Sequence, residues 1–360
     1  MKILMLIDSF TVGGAQRQFA TIAKELHKSE DITVVVYHPT TSHFEEELKA
    51  EGIHIVKIYK QSRYDIKFIF KLLKFIRKEK FDVSISFLDT PNFYNVLAKI
   101  TRSVPKVIVS QRSAYFKETI SFKKKLQESL LYFADHITTN SITQKQRMEN
   151  IFPFFKGKIS FLPNAYKLLD YRSSNLTNNF LVLSNLNEYK NALKLVEAVH
   201  ILVKEYHIFN FKIAWYGRFP ITEIARIDFE QAQVIIKKHT LSSYIDFKGV
   251  TDNVTKVISE SAALIHISDF EGCPNSVCEA MALSKPVILS NVCDHPFLVK
   301  YNNGFLVDQK KPHDIAKGIQ NFIDTPYGKR VEMGLNSRRY IKEELIISNS
   351  IKVLKKLLKC

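Results

Sequence analysis

The feature that most constrains this chain is a rhythm. Twelve short runs rich in Val, Ile, Leu and Phe recur along 360 residues, most of them followed by a longer stretch with helical spacing. The first six are "KILMLID" (2–8), "ITVVVYH" (32–38), "IHIVKIY" (53–59), "FDVSISF" (81–87), "KVIVSQR" (106–112) and "HITTNS" (136–141). The pattern breaks at "ISFLPNAYKLLDYRSSNLTNN" (159–179), whose Asn/Ser/Thr-rich end near 172–179 reads as a linker. It restarts with "FLVLSN" (180–185), "FKIAWYG" (211–217), "IDFKGV" (245–250), "AALIHIS" (262–268), "PVILSN" (286–291) and "GFLVD" (304–308). Strands joined by crossover helices lie parallel, and a repeated βαβ rhythm makes a doubly wound sheet. The expected fold class is therefore α/β, with two Rossmann-like domains at residues 1–168 and 169–335. A basic helical tail, 336–360, is placed to pack back on the N-terminal domain. Ligands of such sheets bind beyond the carboxyl ends of the strands, so two facing domains would line a cleft with their loops.

Composition narrows the function. The 46% hydrophobic content suffices for sizeable cores, and no low-complexity tract or repeat is evident. The opening "MKILMLID" is too short an apolar run for a signal peptide. No run reaches the roughly 18 apolar residues of a membrane span, so a cytoplasmic protein is expected. Cys273, Cys278, Cys293 and Cys360 lack the spacing of a zinc site and read as reduced thiols. The formal charge of +16 suits nucleic acid, an anionic membrane or phosphate-bearing substrates.

Three loops at strand ends concentrate chemistry. The first strand leads into "SFTVGGAQRQF", where Gly13 and Gly14 would let backbone N–H groups approach an anion at a helix start. A tight turn without a ligand is the equal alternative, and no G-x-G-x-x-G is present. "SNLNEYKNALKLVEAV" sets Lys190 at a strand-to-helix turn, as a phosphate partner or a solvated surface lysine. "SDFEGCPNSVCEA" (268–280) spaces Glu271 and Glu279 around a helix start after Pro274. Ser276 with Glu279 forms S-x-x-E, so Glu279 has a purely structural reading as part of a capping box. Otherwise, free N–H groups near Asn275 and Ser276 would take phosphate oxygens. Glu279 would then accept from a sugar diol, with Glu271 further out. Lysine, amides and carboxylates converging on one cleft suit a nucleoside diphosphate sugar.

The E-x7-E pattern in "SDFEGCPNSVCEAMALSKPVILSN" closely resembles the retaining glycosyltransferases of family 4, which have the two-domain GT-B fold. "GGAQR", "ADHITTNS" (134–141), "FLPNAY" (161–166), "NEYKN" and "NNGFLVD" (302–308) resemble further family motifs in the same order, across nearly the whole chain. The resemblance implies retaining transfer of a hexose-type sugar from a UDP- or GDP-sugar, UDP being the commoner, with no metal and no cofactor. Glu279 would hold the ribose hydroxyls and Lys190 would neutralise the diphosphate. The backbone of Gly272, Cys273, Pro274, Asn275 and Ser276 would touch the donor, and Glu271 the donor sugar near its anomeric carbon. Gly13 and Gly14 would close over the phosphates. Base contacts would come from the backbone around Val250 and Thr251. Two departures stand out. Asn185 occupies the place of a frequent family Arg, for which Arg17 or Arg218 could substitute. Gln111 and Arg112 stand where many members carry an acceptor-side His; Arg112 suits an acceptor phosphate or a structural salt bridge. This loop resembles transferases that build bacterial surface polysaccharides on lipid carriers.

The positive charge has a candidate destination. In "IKFIFKLLKFIRK" (66–78), Lys67, Lys71, Lys74 and Lys78 share one stripe at about 100° per residue, with Phe68, Leu72 and Phe75 bordering it. The apolar arc is about 220°, more than a core-facing helix needs. That suits a helix on an anionic membrane, while an ordinary crossover helix explains part of it. "YFKETISFKKKLQ" (115–127) adds Lys123–Lys125 beside Tyr115, Phe116 and Phe122. No nucleic-acid motif appears, so no nucleic-acid partner is expected. The expected protein is a peripheral enzyme on the inner membrane face with a lipid-linked saccharide acceptor. The alternatives are a nucleotide-sugar epimerase or hydrolase of this architecture, or a non-catalytic binding or scaffold subunit.

Overall fold

The computed structural model describes residues 1–360 apart from 12, 39–42, 63, 113–120, 169–176 and 360. The chain forms two compact units, Met1–Ala165 with Ile347–Cys360, and Tyr166–Ile346.

The first unit holds β1 (Lys2–Ile7), β2 (Asp31–Val36), β3 (His54–Lys57), β4 (Val83–Phe87), β5 (Lys106–Gln111), β6 (His136–Thr139) and β7 (Ile159–Phe161). They form a parallel sheet of seven strands, in the order β3-β2-β1-β4-β5-β6-β7. The second unit holds β8 (Asn179–Leu183), β9 (Lys212–Tyr216), β10 (Ile245–Gly249), β11 (Ala263–His266), β12 (Val287–Ser290) and β13 (Gly304–Val307). Its six strands are also parallel, ordered β10-β9-β8-β11-β12-β13. Each of the twelve expected runs contains a strand. β7 is an addition to them: by sequence, 159–161 belongs to the head of the linker segment. Three residues are too few to carry a period. Pairing with the edge of β6, Ile137 opposite Ile159, makes the strand.

Both faces of each sheet are covered, which is why the strands read as continuous apolar runs and not as alternations. In β1, Ile3, Met5 and Ile7 face a core shared with Phe19 and Ile22 of the helix Gly14–His27. Leu4 and Leu6 face the other way, onto Phe68, Leu72 and Ile76 of the helix Ile66–Glu79. In β8, Phe180 and Val182 pack with Leu195 and Val199 of the helix Ala192–Lys204, while Leu181 and Leu183 meet Val277 and Met281 of the helix Asn275–Ala282.

The C-terminal helix Ile347–Lys359 belongs to the first unit. Ile351, Leu354, Leu357 and Leu358 enter the core on the Ile3 face of β1, and Ser350 Oγ donates to the Pro163 carbonyl at 3.0 Å.

The basic helix differs from expectation in which apolar residues it exposes. Phe68 and Leu72 do not border a free surface; both are buried in the sheet core. The solvent side carries Ile66 (65% exposed) and Phe70 (70% exposed) among exposed Lys67, Lys71, Lys74 and Lys78. The sheet claims one side of the apolar arc, and the surplus beyond its footprint faces water. In the second basic patch Lys123, Lys125 and Phe122 are exposed. Lys124 instead pairs with Asp89 and with buried Glu128, each at 2.6 Å. Tyr115 and Phe116 lie outside the described residues.

Because Leu354 is fully buried at the interface of the last helix with the first sheet, Leu354→Ala should destabilise the protein by about 2–5 kcal/mol. Lys352→Ala on the exposed side of that helix should change stability by less than about 0.5 kcal/mol. Urea unfolding of both variants checks the contrast.

Candidate functional site

In the second sheet the strand order reverses between β8 and β11, and the helices that follow those two strands lie on opposite faces. Open parallel sheets bind ligands at such a switch point. After β8 a short 3-10 turn, Glu188–Lys190, leads into the helix Ala192–Lys204. After β11 a loop runs to the helix Asn275–Ala282. The loops are fastened together. Asp269 N–H donates to the Tyr189 carbonyl at 2.9 Å, and Asn191 Nδ2 donates to Asp269 Oδ1 at 3.1 Å. Tyr189 and Phe270 meet edge to face with centroids 6.0 Å apart. Asn191 has φ 52°, a left-handed conformation that Asn tolerates better than most residues. This fastening brings Lys190 Nζ into an ion pair with Glu271 Oε1.

A third group joins them. His266, at the end of β11 and 2% exposed, places Nε2 at 2.9 Å from the same Glu271 Oε1. A carboxylate only accepts, so the imidazole carries its proton on Nε2. Burial alone would raise the Glu271 carboxyl; the Lys190 ammonium and the hydrogen bond from His266 outweigh it and hold the group well below the usual carboxylate range. Burial, then the Lys190 charge, lowers the His266 imidazole and keeps it neutral. Behind it, His295 meets His266 edge to face at 5.7 Å and donates Nδ1–H to the Ser290 carbonyl at 2.8 Å. Burial pushes His295 down to about 4.

The other expected donor residues of this unit also stand at carboxyl ends of its strands. Asn185 follows β8, and its Oδ1 accepts from the Arg218 N–H at 3.0 Å, so its amide shapes the loop beyond β9. The two loops approach so closely that a Cβ on Gly217 would lie 1.9 Å from the Ser184 carbonyl oxygen. The Arg218 side chain is exposed. Val250 and Thr251 follow β10; Val250 is exposed, and Thr251 Oγ1 accepts from the Asn253 N–H at 3.2 Å. Gly272, Cys273 and Pro274 form the approach to the helix that begins at Asn275. The S-x-x-E capping box is not what starts this helix. Pro274, with φ −69° and ψ 123°, is the N-cap, which leaves Ser276 inside the first turn. Asn275 Oδ1 accepts from the Tyr166 hydroxyl at 2.6 Å. Glu279 is half-buried in a helix whose Val277, Cys278, Ala280 and Met281 are fully buried. The Cys273 and Cys278 sulfurs are 3.4 Å apart. Among the described residues no group of three or more His, Cys, Asp and Glu is disposed to hold a metal ion.

In the first unit the corresponding switch point lies between β1 and β4. Gly13, extended at φ −159°, is the N-cap of the helix Gly14–His27 and brings no side chain of its own to that helix start. β4 is followed by Leu88 at φ 78°, a strained position for a branched residue. Gln111 ends β5 and Arg112 follows it. Gln111 is buried and donates to Glu128 at 3.2 and 3.3 Å. Arg112 donates to Ser110 Oγ and Asn164 Oδ1, each at 2.8 Å, and lies over the Phe87 ring. Both side chains are therefore engaged within their own unit.

Comparison with known proteins decides the family. The model for glycosyltransferase family 4 matches residues 12–168, and that for glycosyl transferases group 1 matches residues 172–340. The chain is a family 4 glycosyltransferase. It is 26% identical over 356 residues to the GalNAc-alpha-(1->4)-GalNAc-alpha-(1->3)-diNAcBac-PP-undecaprenol alpha-1,4-N-acetyl-D-galactosaminyltransferase of Campylobacter jejuni, covering 95% of this chain and 91% of that one. Among solved structures, a glycosyltransferase from Rickettsia africae superposes with a TM-score of 0.83 at 16% identity, covering 99% of this chain and 97% of that one. Anabaena Alr3699/HepE in complex with UDP superposes at 0.81 and 17%, covering all of both chains. These likenesses establish the GT-B fold for the family 4 chain.

Sequence reasoning about this glycosyltransferase missed His266 and His295. For His266 the signal was a titratable residue inside the apolar run "ALIHIS", where a buried strand needs none; His295, in the segment after β12, carried no such signal. The pH response comes from the buried imidazoles. His295 has its pKa depressed from 6.5 to about 4, so the unfolded chain takes up a proton that the folded one refuses. Its contribution to stability is complete above pH of about 6.5 and declines as pH falls toward 4, by roughly 3 kcal/mol at pH 4. Urea unfolding from pH 7.5 to 4.5 should show wild type losing more stability than His295→Gln, the gap widening below pH of about 6.5.

Proposed function

We propose that this family 4 enzyme is a retaining transferase of a hexose-type sugar. Its donor is a nucleoside diphosphate sugar, UDP before GDP, and its acceptor is a lipid-linked or surface-polysaccharide saccharide at the inner face of the membrane. The observation that carries the donor reading is the Lys190–Glu271 pair at the β8/β11 switch point. A lysine held against a carboxylate is a cation ready for a stronger anion. An incoming diphosphate supplies one, and Lys190 on its flexible stem can turn to it. Glu271 then faces the sugar. As the glycosidic bond breaks, negative charge grows on the leaving phosphate, where Lys190 and the N–H groups at the start of the helix Asn275–Ala282 act most strongly. Glu279, one turn into that helix, is assigned to the ribose hydroxyls. The UDP bound by the Anabaena protein and the undecaprenol diphosphate in the Campylobacter enzyme's name support these donor and acceptor classes.

Peripheral membrane binding is supported by the exposed Ile66 and Phe70 among Lys67, Lys71, Lys74 and Lys78. Apolar side chains enter the interface while lysines meet anionic headgroups. No helix among the described residues is long and apolar enough to cross a membrane.

The donor assignment is tested by thermal melting with UDP, GDP, ADP and NAD. A ligand at 100 times its Kd adds about 2.7 kcal/mol to the folded state. UDP should raise the Tm, and Glu279→Ala and Lys190→Ala should each abolish the rise. A protein that none of these nucleotides stabilises would overturn the donor assignment. For the membrane, co-sedimentation with phosphatidylglycerol vesicles should fall at least fivefold in an Ile66→Ser/Phe70→Ser double variant and in high salt. Equal binding to neutral vesicles would refute the electrostatic part.

A further inference from the structure

We infer that His266 is a positioning residue that keeps Glu271 in place when Lys190 turns to the donor's diphosphate. The inference rests on the donor reading above for its role in turnover, and on geometry alone for its structural claim. One carboxylate oxygen, Glu271 Oε1, receives both Lys190 Nζ and His266 Nε2. The two donors differ in kind. Lys190 is an ammonium on a four-carbon stem at the end of a short turn. His266 is a two-torsion side chain on β11, 2% exposed, with its ring against His295 at 5.7 Å.

Lys190 Nζ also lies 3.4 Å from His266 Nε2, but that approach is no hydrogen bond in this tautomer. An ammonium and an imidazole N–H are both donors, so they share an acceptor and do not bond each other. His266 has no competing use for Nε2–H. Its Nδ1 has no hydrogen-bond partner among the described residues, and His295 spends its own Nδ1–H on the Ser290 carbonyl. Once a diphosphate draws Lys190 away, Glu271 remains an anion in a buried site with new negative charge nearby. An unpaired charge there is costly. The His266 N–H is then the donor that stays, and it holds the carboxylate on the side of the loop from which it meets the sugar.

Two variants separate this from mere packing. His266→Leu fills much of the space without a donor, and His266→Gln restores an N–H. Calorimetry gives their affinity for UDP, and UDP released from a panel of UDP-sugars gives kcat and KM. His266→Leu should bind UDP within about twofold of wild type yet lose at least tenfold in kcat with little change in KM. His266→Gln should recover most of the loss. Unchanged kcat in His266→Leu, or UDP affinity falling in step with kcat, would overturn the inference.

A second measurement needs no turnover and keeps the native histidine. The 15N and proton signals of the His266 ring should show a hydrogen-bonded Nε2–H in wild type. The signature should survive in Lys190→Met and vanish in Glu271→Ala. Its loss in Lys190→Met would show that the lysine, and not the histidine, sets the carboxylate. A wild-type protein that neither binds UDP nor releases it from any UDP-sugar would refute the donor reading instead, and the ring signals would still decide the tie between His266 and Glu271.

Discussion

A parallel sheet has to be covered on both faces, and in this chain that demand fixes where loops, and the charged side chains on them, can stand. Each strand must return through a helix, so in each sheet every carboxyl end lies along one edge. Each sheet is built outward from its first strand in two directions, β1 and β8 respectively. In the second sheet the helices that follow the two strands at that reversal lie on opposite faces. Gly13 comes after β1 at one reversal, and Lys190 after β8 at the other, with Glu271 across from it on the loop after β11.

Holding charge at such an edge is an electrostatic problem. Glu271 is largely withdrawn from water, and burial opposes its ionised form. A neighbouring ammonium and one imidazole N–H reverse that balance. A second positive charge beside Lys190 would add repulsion inside the buried site, whereas a neutral imidazole supplies the Nε2–H without it. Burial and the lysine's own charge keep it neutral. The site thus rests in a compensated state, with a lysine held by a carboxylate that a more highly charged anion can displace.

Much of the architecture could be read from residue order. The twelve apolar runs each contain a strand, because a strand buried on both faces needs an unbroken apolar run and helices between strands need length. Failures were local and had identifiable causes. β7 is a three-residue edge strand created by its neighbour. Ser276 and Glu279 match a capping box, yet the N-cap is Pro274 and the helix starts one residue before Ser276. The basic helix kept its lysine stripe but exchanged its exposed apolar residues: Phe68 and Leu72 turned inward, Ile66 and Phe70 outward. Periodicity gives the angle between residues on a helix; it does not give the direction in which the sheet lies.

By itself, the sequence determined the two-sheet α/β class, the loops that carry Gly13, Lys190 and Glu271, and the residue types available for phosphate and sugar. These come from local spacing and from the polarity of side chains at strand ends. Only the tertiary structure decided that Lys190 and Glu271 meet, that His266 joins them, and that the helix Ile347–Lys359 completes the core of the first unit. The physical reason is the same in each case. Lys190 and Glu271 are 81 residues apart, and Ile351 lies far from Ile3 in sequence. Their proximity is a consequence of strand order and of which sheet face needs covering, and neither is a property of any local segment.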